Sequence, residues 1–118
     1  MNRPVLEPEN VSEAALKAIT GYHQDIVAEV KSTVSKNKVV VVGMAQNPFV
    51  KKARTALKEA GIEYSYLEYG TYVSQWKQRL AIKLWSGWPT YPQVFVNGKL
   101  IGGFQETKAA LESGQLKK

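Results

Sequence analysis

The chain contains no cysteine. That absence removes disulfides, thiolate metal sites and thiol chemistry together. Histidine is nearly absent too: the single His23 excludes the common metal sites built from two or three imidazoles. No apolar run approaches the ~20 residues that a membrane-spanning helix requires. The opening MNRPVLEPEN lacks the apolar core of a secretory signal, so a cytoplasmic location is the default expectation. There is no internal repeat and no low-complexity segment.

The 118 residues predict one domain. A chain of that size buries about two thirds of its unfolded surface, enough for a core without staples. Hydrophobic residues make up 44% and charged residues 22%, an ordinary globular composition. The net charge of +6 is uneven. Residues 1–37 carry four Lys/Arg against five Asp/Glu, whereas residues 38–118 carry twelve against five. The basic residues form no run and do not interleave with aromatics. They read as solvated faces rather than a nucleic-acid site.

One stretch organises the rest: Leu84 to Gly103, LWSGWPTYPQVFVNGKLIGG. Pro89 and Pro92 end any preceding helix. Val94, Phe95 and Val96 favour a strand. Asn97-Gly98 is a strong two-residue hairpin signal, because a type I′ turn needs positive φ at both positions. Leu100 and Ile101 supply the returning strand. Gly102-Gly103 allows a sharp bend or a close backbone approach.

Upstream, Met1 to Pro8 reads as an extended arm. Asn10-Val11-Ser12-Glu13 has the form of a capping box with Asn10 as N-cap. A helical stripe runs from Ala15 to Val34 and is interrupted by Gly21, which predicts two helices, about 11–20 and 22–35. His23 falls on their surface. Val39 to Val42 form a β-branched run without alternation, the mark of a strand covered on both faces. After the loop Gly43 to Gln46, Asn47-Pro48 opens a helix, with Asn as N-cap and Pro at the first helical position. Phe49, Val50, Ala53, Leu57 and Ala60 continue it and Gly61 stops it. A strand carrying Tyr64, Tyr66, Leu67 and Tyr69 follows. Val73 to Trp85 predicts a helix with Trp76, Leu80, Leu84 and Trp85 on its apolar side. Phe104 to Ser113 is a last short helix closed by Gly114. This α/β order, a βαβ unit followed by a hairpin and a helix, is the thioredoxin-like arrangement of a four-stranded mixed sheet between helices.

Trp88-Pro89-Thr90-Tyr91-Pro92-Gln93-Val94-Phe95, with Asn97-Gly98 and Gly102-Gly103, resembles the second half of a glutaredoxin, closest to the monothiol branch. The resemblance spans about residues 23–116. It leaves residues 1–22 as an N-terminal arm and extra helix, and 23–118 as the glutaredoxin-like domain. It implies a cis bond before Pro92 and a glutathione-like groove drawn from Asn47, Phe49, Arg79, Lys83, Thr90, Tyr91, Pro92, Gly102, Gly103, Phe104 and Gln105. Aligned on Pro48 and Phe49, Asn47 stands at the nucleophilic cysteine and Val50 at the second cysteine or serine. Met44 replaces a lysine that dithiol members carry, and Gln105 replaces an aspartate that meets the glutathione amino group. Arg79 and Lys83 fall near a basic position that holds a glutathione carboxylate in some members.

Thiol–disulfide exchange needs a thiolate, and an amide is not ionisable in this range. No catalytic residue and no metal ligand is therefore expected. The leading expectation is a non-catalytic module that binds a protein or peptide partner in the old groove, with no cofactor and weak glutathione binding at most. Two alternatives stay open: an enzyme acting on glutathione or a conjugate that carries its own thiol, and a redox or iron–sulfur role with thiols supplied by a partner.

Overall fold

The structure is a computed structural model and describes residues 6–117. Val39–Gly43 (β1) forms the interior strand expected of its uninterrupted valines. Ser65–Glu68 (β2) pairs with it in parallel on one side, and Gln93–Val96 (β3) pairs antiparallel on the other. Lys99–Gly102 (β4) closes the hairpin at the far edge, giving the order β2-β1-β3-β4. Asn97 and Gly98 both have positive φ, 52° and 81°, as a type I′ turn demands.

Strand geometry sends alternate side chains of β1 to opposite faces. Val40 and Val42 pack with Val30, Val34, Ile82 and Phe95 under helices α2 (Gln24–Lys36) and α4 (Trp76–Ser86). Val39 and Val41 pack with Leu57, Val94 and Leu116 under α3 (Pro48–Glu59) and α5 (Phe104–Ser113). Each fully buried valine contributes about 1.5–3 kcal/mol relative to exposure, so the run cannot tolerate polar substitution on either face. Gly43 lets the end of β1 meet the first turn of α3: a Cβ there would lie 2.6 Å from Val50 Cγ1.

The N-terminal segment departs from expectation in detail. Asn10 ends a short 3-10 turn, Pro8–Asn10, and Ser12 caps α1 (Glu13–Gly21) instead. Asn10 is taken up by that turn, its amide donating to the Glu7 carbonyl. The extended Ser12 is then the first residue able to accept, at 3.1 Å, from the Ala15 amide. His23 is half-buried, its ring edge-on to Tyr22, and its left-handed conformation (φ 45°) separates α1 from α2. The arm predicted for Met1 to Pro8 falls largely outside the described residues.

The helix expected from Val73 starts only at Trp76. Thr71 to Ser74 form a turn, with the Ser74 amide on the Thr71 carbonyl, and Gln75 is left-handed. The apolar side predicted for this helix is also reversed. Trp76, Leu80, Leu84 and Trp85 are exposed, whereas Arg79, Ala81 and Ile82 face the core. Periodicity located the stripe but not the side of the helix that meets the sheet. Among the described residues no helix is long and apolar enough to cross a membrane.

Candidate functional site

Because Val42 pairs with Gln93, the loop after β1 and the loop before β3 emerge at the same end of the sheet. Asn47 is extended, and its Oδ1 accepts from the amides of Phe49 (2.9 Å) and Val50 (3.1 Å). Those amides are two of the donors that a helix N-terminus leaves open to an anion. Here the chain's own side chain fills them. Val50 is buried against Gly43 and serves the core. Phe49 is exposed.

The Tyr91–Pro92 bond is cis, as expected. Thr90 is exposed while Tyr91 and Pro92 are buried. A Cβ at Gly103 would lie 3.3 Å from the Pro92 carbonyl and 3.5 Å from the Trp88 indole nitrogen, so the proline loop and the start of α5 are in close approach. Lys52 Nζ lies 5.3 Å from the Phe49 ring centroid and 6.0 Å from that of Phe104. It thereby spans the starts of α3 and α5 with a cation over two aromatic faces. Lys83 Nζ is 5.6 Å from the Tyr91 ring centroid. Asn47, Phe49, Lys83, Thr90, Tyr91, Pro92, Gly102, Gly103 and Phe104 thus surround one end of the sheet, with Gln105 exposed beside them.

Arg79 is placed otherwise. Only 7% of it is exposed, and its Nη1 donates to the carbonyls of Tyr69 (2.9 Å) and Ser74 (2.5 Å). Its own carbonyl accepts from the Tyr91 hydroxyl at 2.6 Å. The guanidinium therefore holds the loop before α4, and Lys83 is left as the nearby cation. Burial raises the Tyr91 phenol well above its ordinary range, with Arg79 opposing only in part. Burial likewise raises Tyr69, helped by its hydroxyl donating to Glu29. Met44 is buried in the core, so its side chain supplies neither charge nor a strong hydrogen-bonding group.

Several residues here were not singled out by sequence reasoning. Lys52 carried no signal that set it apart from the other basic residues of α3. Glu106 accepts from the Gly103 amide at 2.9 Å, placing a carboxylate at the start of α5; its position three after Gly103 could have suggested it. Trp88 Nε1 and Gln93 Oε1 are buried without protein partners, although Gln93 Nε2 donates to the Trp88 carbonyl at 3.1 Å. A cleft of about 480 Å³ opens on the opposite flank of Asn47, lined among others by Lys51, Arg54, Tyr66 and Glu68. There Arg54 lies over the Tyr66 ring at 3.8 Å, and the Tyr66 hydroxyl donates to Glu68. Burial first, then that bond, pushes Tyr66 up to about 12.

Residues 39–101 match the family model described as Glutaredoxin. The chain belongs to the glutaredoxin family. It is 50% identical over 117 residues to a glutaredoxin-like protein of Dictyostelium discoideum, covering 98% of this chain and 92% of that one. It is 36% identical to glutaredoxin-C4 of Arabidopsis thaliana over 75% of this chain and 66% of the relative. A wheat glutaredoxin crystal structure superposes with a TM-score of 0.69 at 30% identity, covering 80% of this chain and 87% of the other.

Within a glutaredoxin frame, the chain has no thiol, and Asn47 offers no nucleophile. The thiol-dependent chemistry of the family has no residue to carry it. The donor set also does not fit a thiolate-ligated iron–sulfur cluster, which needs cysteine sulfur. Among the described residues no group of three or more His, Cys, Asp or Glu could hold a metal ion.

Proposed function

We propose that this glutaredoxin-family chain is a non-catalytic binding module that receives an extended, peptide-like segment of a partner in the groove between Asn47, the Tyr91–Pro92 loop and the start of α5. One observation carries the reading. The side chain at the nucleophile position is committed to capping α3, while the proline loop and Gly103 at the start of α5 remain in close approach. Extended peptides are recognised by backbone pairing, with side-chain pockets adding specificity. Lys52 and Lys83 supply cations at two sides of the groove, which suits a ligand bearing carboxylates.

Glutathione itself binds weakly on this reading. Met44 and Gln105 bring no charge, and Arg79 is engaged internally. Glu106 already occupies the Gly103 amide and opposes a second carboxylate there. Each charge-assisted hydrogen bond contributes about 1.5–3 kcal/mol, so losing two raises the dissociation constant by roughly two to four decades. Titration with reduced and oxidised glutathione, followed through the amide signals of Tyr91, Gly103 and Phe104, tests this. The expected result is shifts that do not saturate below millimolar ligand. Saturation at micromolar ligand would restore the groove as a glutathione site and favour an enzyme acting on glutathione conjugates. Any turnover of a mixed disulfide by this cysteine-free chain would refute the non-catalytic reading.

A further inference from the structure

Helix α4 turns its apolar stripe to solvent. Trp76 and Leu84 are each 55% exposed, Leu80 is exposed between them, and Val73 just before the helix is 90% exposed. Trp76, Leu80 and Leu84 recur at i, i+4 and i+8, so they form one ridge. Ile19 of α1, 55% exposed, meets Leu84 around a cavity of about 160 Å³ that Tyr22 and Val27 also line. Tyr72, 59% exposed, precedes Val73 in the same turn. Contiguous exposed apolar surface of this kind marks an interaction site.

The charge on α4 itself is of one sign. From Tyr69 to Gln105 there is no Asp or Glu, and with Arg79 engaged internally and Lys83 over Tyr91, Lys77 is the exposed cation of α4 beside the ridge. Lys77 Nζ lies 5.6 Å from the ring centroid of Trp76. Two copies meeting through α4 would set lysine against lysine with no α4 carboxylate between them, and the like charges oppose that contact. A lipid surface would accept the charge, but the cavity between α1, α2 and α4 is a recess for a single branched side chain. A partner helix supplies such a side chain at helical spacing.

We infer that the α1–α4 face is a second docking surface, separate from the old groove, and that its occupant is an amphipathic helix of a partner protein with acidic residues flanking its apolar stripe. An apolar residue of that helix fills the recess beside Ile19 and Leu84, and a carboxylate pairs with Lys77 beside Trp76. The helix-in-groove mode accounts for the exposed ridge and the one-sided charge together.

The test uses the full chain and two synthetic helical peptides with the same leucine stripe, one flanked by glutamates and the other by lysines. Binding is read by calorimetry and by amide shifts of Leu80 and Leu84. The glutamate peptide is expected to bind at least tenfold more tightly than the lysine peptide. Leu84→Ser and Lys77→Glu should each weaken the glutamate peptide by about tenfold. Their unfolding midpoints should stay at the parent value, since both side chains are exposed. Equal affinity for the two peptides, or no binding of the glutamate peptide at millimolar concentration, overturns the inference. Binding to phosphatidylserine-containing vesicles with no response to the peptide, or concentration-dependent dimerisation lost in Leu84→Ser, overturns it in favour of a membrane or a second copy.

Discussion

Replacing Asn47 by alanine removes one oxygen that two amides share. Phe49 N and Val50 N lie 2.9 and 3.1 Å from Asn47 Oδ1, and no acidic residue sits in the first turn of α3 to take its place. Loss of such a cap costs about 0.5–2 kcal/mol, with ~1 kcal/mol typical. The loss should stand above the low end here, because Val50 is buried and its amide has limited access to water. For a domain of this size, 1 kcal/mol lowers the thermal midpoint by roughly 3–6 °C. Asn47→Asp keeps the acceptor and adds a negative charge at the helix start, so it should be neutral or stabilising by up to about 1 kcal/mol. The assay is urea unfolding followed by tryptophan fluorescence, with a thermal scan as second probe. If Asn47→Ala leaves both midpoints unchanged while abolishing ligand binding in the groove, the capping argument is wrong and Asn47 acts on the ligand directly.

Arg79→Met should destabilise by about 2–4 kcal/mol, because it leaves the carbonyls of Tyr69 and Ser74 without their donor. Arg79→Lys should recover only part of that, since an ammonium lacks the planar fork; a urea midpoint for Arg79→Met within experimental error of the parent would refute the internal role. Stability should also fall at high pH. Tyr66 is raised to about 12, and Tyr69 and Tyr91 are raised further, all chiefly by burial. Unfolded tyrosine ionises near 10, so above that pH the unfolded chain releases protons that the folded one retains. These three groups leave stability unchanged below about pH 9 and lower it progressively above 10, which unfolding midpoints and tyrosinate absorbance would track. Titration of all six tyrosines near 10 in the folded protein would contradict that reading.

The valines of β1, the Asn47-Pro48 helix start, the Asn97-Gly98 turn and the double glycine were legible because each rests on local chemistry. A β-branched run, a cap, a positive-φ turn and a bend act through neighbours in the chain. The family was legible for the same reason: its motif lies in consecutive residues, and the absence of cysteine needs no coordinates. Tertiary structure decided what depends on direction. The stripe Trp76, Leu80, Leu84 has the period of a buried face, yet it faces water. Ile82 packs against the sheet instead, Ala81 is buried beside α2, and the buried Arg79 satisfies two carbonyls of the loop before the helix. Period fixes the spacing of side chains on a helix, while its rotation about its axis is set by neighbours distant in sequence. Lys52 between Phe49 and Phe104, and Glu106 at the Gly103 amide, depend in the same way on α5 meeting the start of α3 and on the bend before it.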